Sequence, residues 1–194
     1  MLKHSPTRRT QTSSLVHWNY FLSIEKDVLE LSRFIEFSGS NLNTYSTEIA
    51  RILMSATQEC DVLLKQVCLN SHSNEQGYRA DIPQQHPLFC DQKVLLPRYD
   101  LSFTPFTEWK QGKTPSWWTA NNKVKHERHN KFEMASLENM LNSVSALLLS
   151  NIYYYHNKNK LRDISQIPSL FDAEGLIESV EFTTLGIAPN YVVA

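Results

Sequence analysis

Between Ser136 and Asn157 the chain runs Leu-Glu-Asn-Met-Leu-Asn-Ser-Val-Ser-Ala-Leu-Leu-Leu-Ser-Asn-Ile-Tyr-Tyr-Tyr-His, and this stretch limits what the rest can fold into. Leu137, Leu141, Val144, Leu148, Ile152 and Tyr155 recur at helical spacing, while Leu147, Leu149 and Tyr153 widen the apolar band almost all round. A helix apolar on most faces belongs at the centre of a bundle or at a subunit interface. The spacing predicts a helix starting at Ser136 or Glu133 and ending near Asn157. Its Tyr153-Tyr154-Tyr155 run reads either as core rings with one rim hydroxyl or as a stacking platform for bases.

Such a helix needs partners, and two precede it. In residues 15–37, Ile24, Val28, Leu31 and Ile35 form one stripe, with Glu25, Asp27, Glu30 and Glu36, Lys26 and Arg33 as the outer face. Ser38-Gly39-Ser40-Asn41 closes that helix. Thr44 to Thr47 offers N-cap side chains for a second helix at about 47–70, whose stripe is Ile49, Ile52, Leu53, Ala56, Cys60, Leu63, Leu64 and Val67. Two short-looped amphipathic helices in succession argue for antiparallel packing. On the second, Glu48, Arg51, Ser55 and Glu59 follow an adjacent line. It is either surface ion pairing or a face that turns Arg51 or Glu59 toward a site across the bundle.

Residues 71–114 differ. Five of the eight prolines fall between Pro83 and Pro115, which excludes a long helix. Residues 91–97 and 99–105 read as short extended segments joined by a turn, and Phe103, Phe106 and Trp109 supply apolar groups for a folded insertion. The tail, 158–194, reads as an appendage packed on the bundle, with a small hairpin over 176–184. Residues 1–14 are polar, lack the apolar core of a secretory signal, and read as a flexible arm. The expected architecture is therefore mainly α: an antiparallel helical bundle over 15–157 with a proline-rich, partly extended insertion and a small C-terminal appendage.

A formal net charge of −1 excludes a generally basic nucleic-acid coat, so any grip on phosphate must be local. Three cysteines without CxxC spacing point to reduced thiols in a cytoplasmic protein, and no apolar run suffices for a membrane span. With five scattered glycines there is no phosphate loop, and HExxH and GxSxG are absent too.

Chemistry concentrates in Trp117 to Lys131. Lys123, Lys125, His126, Arg128, His129 and Lys131 fall within nine residues, behind a tryptophan pair. As a helix opened by Pro115-Ser116 and capped by Ser116, the stretch turns Trp117, Ala120 and Val124 to the core. Trp118, Asn122, His126 and His129 fall close to a second line. An amide and an imidazole one turn apart can hold a phosphate or a base edge. His126 and His129 at i,i+3 lack a third ligand, so neither a metal nor another cofactor is expected.

Asn121-Asn122-Lys123-Val124-Lys125-His126, leading into the long helix, resembles the polar element of the HEPN superfamily. The tract from Trp117 to Arg128 also resembles small bacterial proteins sharing an Asn-Lys-Val-Lys-His-Glu/Asp-Arg core. The likeness covers the helices near 20–70 and 117–157, a little over half the chain. It implies a dimeric, metal-independent endoribonuclease of toxin or phage-defence type, with an antitoxin or nucleotidyltransferase partner. His126 takes the acid/base role, Asn122 orients, and Arg128 and Lys125 hold phosphate, assisted by Lys123, His129, Lys131 and Trp118. The usual Arg-x(4–6)-His motif is degenerate, because Asn121 stands at the arginine place and supplies no full charge. Either Arg128, Lys125 or a second subunit replaces that cation, with Arg51 and Glu59 in support, or cleavage is lost. The competing expectation is a non-catalytic interaction module whose widely apolar 137–155 helix makes the contact.

Overall fold

The computed structural model describes residues 15–183 and 186–193. The arm at 1–14 lies outside the described residues. Among the described residues, five α-helices, α1 (Val16–Leu31), α2 (Thr47–Val67), α3 (Glu75–Gln85), α4 (Ser116–Lys131) and α5 (Leu137–Asn157), make the bundle, with short 3-10 turns between them. Five short strands complete the fold: β1 (Val94–Leu96), β2 (Leu101–Phe103), β3 (Asp172–Ala173), β4 (Ile177–Thr183) and β5 (Gly186–Tyr191).

The most apolar helix takes the centre. α5 packs on α1, α2 and α4 at once, and its leucines are fully buried. Four of its polar residues, Ser143, Ser145, Ser150 and Asn151, are buried as well, and the helix largely satisfies them itself. Ser143, Ser145 and Ser150 donate to the carbonyls of Met140, Leu141 and Ala146 at 2.7–2.8 Å, and the Asn151 amide donates to Leu147 O at 3.0 Å. Buried hydroxyls paired in this way avoid the cost of an unmet donor. Tyr153 and Tyr155 are core rings and Tyr154 is half-buried, so the triplet forms no base-stacking platform. The chain itself covers α5, which removes the contact surface that an α5-based interaction module would need.

α2 fits its predicted stripe, all eight residues of which are buried. Ser46 is the cap, its hydroxyl accepting from Ile49 N at 3.1 Å. α1 stops at Leu31, earlier than the expected 37. The Ser32 hydroxyl donates back to Leu29 O at 2.7 Å, and the following amides turn tightly onto Glu30 and Leu31, leaving Ile35 half-buried beyond the helix. Glu25 corrects the outer-face assignment more sharply. It is 3% exposed, and its carboxylate accepts from the backbone amides of Ser169, Leu170 and Phe171 at 3.0, 2.8 and 3.2 Å. A charged side chain on a presumed solvent face thus ties the tail to the bundle.

The insertion holds the two extended segments as an antiparallel pair, Val94 opposite Phe103 and Leu96 opposite Leu101. It also holds a helix that the proline count concealed. α3 is capped by Asn74, whose side chain accepts from Gly77 N at 3.0 Å, and it is already eight residues long before Pro83, ending two residues after it. β3, from the tail, pairs with the free edge of β1, so insertion and appendage share one sheet. The hairpin is longer than expected: 177–183 is one strand, and its partner is 186–191.

Gly77 marks where α3 meets the loop before it. A Cβ there would lie 2.5–2.7 Å from the His72 ring. Alanine usually strengthens a helix by about 1 kcal/mol over glycine, but overpacking of this kind costs about 1–3 kcal/mol. Gly77→Ala is therefore expected to lower the melting temperature, and adding His72→Ala to restore part of it. A Gly77→Ala protein at least as stable as wild type would contradict this close approach.

Candidate functional site

Two helices make the site, and their local chemistry sets its shape. α4 begins at Ser116, but Ser116 does not cap it. Glu108 does, accepting from Ser116 N at 2.7 Å and from its hydroxyl at 2.8 Å, a carboxylate at the positive end of the helix. Trp117, Ala120 and Val124 enter the core, and the Trp117 indole donates to Pro105 O at 2.8 Å. Trp118 is also buried, edge-on to Tyr78 and Trp117 at 6.4 and 5.4 Å between ring centres.

The second line does not survive as a line. Glu127 leaves helical geometry, with φ −130° and ψ 31°, so the helix kinks between His126 and Arg128. Spacings of i, i+4, i+8 and i+11 align only on a straight helix. The kink separates Asn122, which faces one hollow, from His129, which faces another; His126, still before the kink, is exposed and lines neither.

The hollows are two lobes of a groove between α2 and α4, joined where Met54 and Gln58 belong to both. The first lobe, about 800 Å³, brings Arg51 from α2 against Arg128 and His129, over Ala50, Met54 and Phe132. The second, about 670 Å³, sets Asn121, Asn122 and Lys125 against Asp61, with Asn74 and Glu75 from the start of α3 and the edge of Trp118. Lys123 and Lys131 line neither lobe.

The cations are not equivalent. Arg51 is committed to Glu48 and to Asp27, the latter at 2.7 Å, and these bonds raise its pKa further. Lys123 pairs with Glu127 at 2.7 Å, and that hydrogen bond holds the Glu127 carboxyl below its usual range. Arg128 has only a sulfur contact, Nη2 to Met54 Sδ at 3.1 Å, and makes no ion pair with the described residues. Lys125 likewise has no carboxylate partner among them. Glu59 turns away from the groove altogether, to His17 Nδ1 on α1 at 2.5 Å.

The structure thus brings Arg51, Arg128 and His129 into one lobe, and Trp118, Asn121, Asn122 and Lys125 into the other. It leaves His126, Lys123, Lys131 and Glu59 outside both. Met54, Gln58 and Asp61 were missed, although they recur at i, i+4 and i+7 beside the α2 core stripe. Glu75 and Asn74 gave no signal once α3 was hidden. Among the described residues no three metal-ligating side chains converge, and no helix is long and apolar enough to cross a membrane. The chain matches no family model, no curated protein and no solved structure.

Proposed function

We propose that this chain engages RNA or a nucleotide through the α2–α4 groove, in keeping with its HEPN-like sequence element. One observation carries the reading: Arg128 lines an open lobe with no carboxylate partner among the described residues, while Arg51 beside it is already neutralised. An uncompensated guanidinium on a helical wall is suited to a phosphate, which it meets with planar, always-charged donors. Lys125 extends the positive side along the same groove, and Ala50, Met54 and Phe132 give sugar or base an apolar floor.

Cleavage is a separate step. His126 projects outside both lobes, so a strand lying in the groove meets His129 first. Any acid/base work on that strand accordingly falls to His129, and binding without cleavage is the simplest form of the activity.

A labelled single-stranded octaribonucleotide tests this by fluorescence anisotropy. Two or three phosphate contacts give a slope of log affinity against log salt of about −1.4 to −2.1. Binding should then weaken about seven- to twentyfold between about 50 and 200 mM salt. A response flat in salt, or the absence of binding at high protein concentration, rules the reading out. In metal-free buffer, any cleavage should be lost in His129→Ala and kept in His126→Ala.

A further inference from the structure

We infer that the groove orients its strand: a phosphate sits at the Arg128–His129 end, and a base bearing an exocyclic amino group sits in the lobe beside Trp118. This rests on the RNA-engaging reading above and specifies its ligand. The two lobes have opposite character. The first presents an uncompensated guanidinium and, among the described residues, no carboxylate, whereas the second sets the carboxylates of Asp61 and Glu75 opposite Lys125. A phosphate entering the second lobe would face both acids as well as Lys125, so the first lobe is the better seat for the anion.

What the second lobe holds is an unmet hydrogen-bond acceptor. Asp61 has a partner on each oxygen, accepting from the Tyr78 hydroxyl at 2.9 Å and the Lys65 ammonium at 2.6 Å. Glu75 is half used. Its Oε2 accepts from the Thr114 hydroxyl at 2.9 Å, but its Oε1 is buried with no hydrogen bond, the Arg79 guanidinium standing off at 3.7 Å. The residue is 8% exposed. A buried acceptor left without a donor is costly and rare in folded proteins, and this one belongs to a residue lining an open lobe.

An exocyclic amino group, as on adenine or cytosine, is the donor that a carboxylate accepts from a base, and uracil presents a carbonyl at that place. Gln58 and Asn122, both lining the lobe, carry the mixed donor and acceptor groups needed to meet the rest of a base edge. The lobes also adjoin along one wall, where Met54 and Gln58 belong to both, so one strand can reach from one into the other.

The experiment compares labelled rA8, rC8 and rU8 on the full chain, with Arg128→Ala, Asn122→Ala and Glu75→Gln. In wild type, rA8 and rC8 should bind about tenfold more tightly than rU8. Asn122→Ala and Glu75→Gln should narrow that gap to within about twofold. Arg128→Ala should weaken all three by a similar factor. Equal wild-type affinity for the three, with the expected salt dependence intact, overturns the orientation and leaves RNA engagement standing. Salt-dependent binding of none of them removes both. Asn122 is exposed, so Asn122→Ala decides the matter even where Glu75→Gln disturbs α3; an unchanged base preference in it overturns the inference.

Discussion

Glu25→Ala is expected to lower the melting temperature by about 10 °C and to expose the start of the appendage to proteolysis. The Glu25 carboxylate is the acceptor for three consecutive backbone amides, at Ser169, Leu170 and Phe171, and also for the Ser169 hydroxyl at 3.2 Å. Hydrogen bonds to a charged group contribute about 1.5–3 kcal/mol each, and donors left buried without a partner add a penalty. Allowing for relaxation and water entry, the loss is about 3–5 kcal/mol, and in a chain of this size each kcal/mol moves the melting point about 2–4 °C. The damage should spread in a definite direction. Residues 169–171 lead directly into β3, which pairs with β1, so loosening them frees the edge of the three-stranded sheet. Trp18 would still hold the tail through its indole bond to Gln166 O at 3.2 Å and its contact with Tyr191. Glu25→Gln keeps an oxygen acceptor and should lose less than half as much. Hydrogen exchange at the 169–171 amides checks the mechanism: protection there should fall in Glu25→Ala before that of α5 does. Unchanged protection would mean that the carboxylate is not what secures the tail.

That Glu25 looked like an ordinary surface acid shows where the sequence was readable. Periodicity reports which face of a helix meets other apolar side chains, so the α2 stripe, the burial of α5 and the inward turn of Trp117, Ala120 and Val124 were all legible. It cannot report a polar contact made to a backbone 144 residues away. The insertion failed for a related reason. Prolines do exclude a long helix, but Pro83 falls near the end of the short α3, after eight residues without a proline and with only two to follow, so the helix forms before it. With α3 hidden, Asn74 and Glu75 had no position, and the acidic lobe of the groove could not be anticipated. At the site itself, the residue cluster was visible and its geometry was not. Alignment of Asn122, His126 and His129 assumed a straight helix, and the break at Glu127 parts His129 from the other two. His129 and Arg128 gain weight from that kink, whereas His126, one turn beyond Asn122, lines neither lobe.

Reversing one charge puts this division to its hardest test. Arg128→Glu is expected to weaken binding of a single-stranded octaribonucleotide about 100-fold at about 50 mM salt, whereas His126→Ala should stay within about twofold of wild type. The substitution removes a charge-assisted contact, of about 1.5–3 kcal/mol, and places a repelling carboxylate in the same lobe. It changes the effective phosphate neutralisation by about two charges, which moves the salt slope by about 1.4. The defect should therefore shrink about sevenfold at about 200 mM salt, to about fifteenfold. A structural defect would not respond to salt in this way. Arg128 is exposed and, among the described residues, its side chain bonds only to the Met54 sulfur, so thermal stability should stay within about 0.5 kcal/mol of wild type. If Arg128→Glu and His126→Ala have equal effects, the kink does not sort these side chains, and the positive charge of α4 acts as a diffuse patch. If the Arg128→Glu defect is as large at high salt as at low, its cause is shape, and the first lobe is no phosphate site.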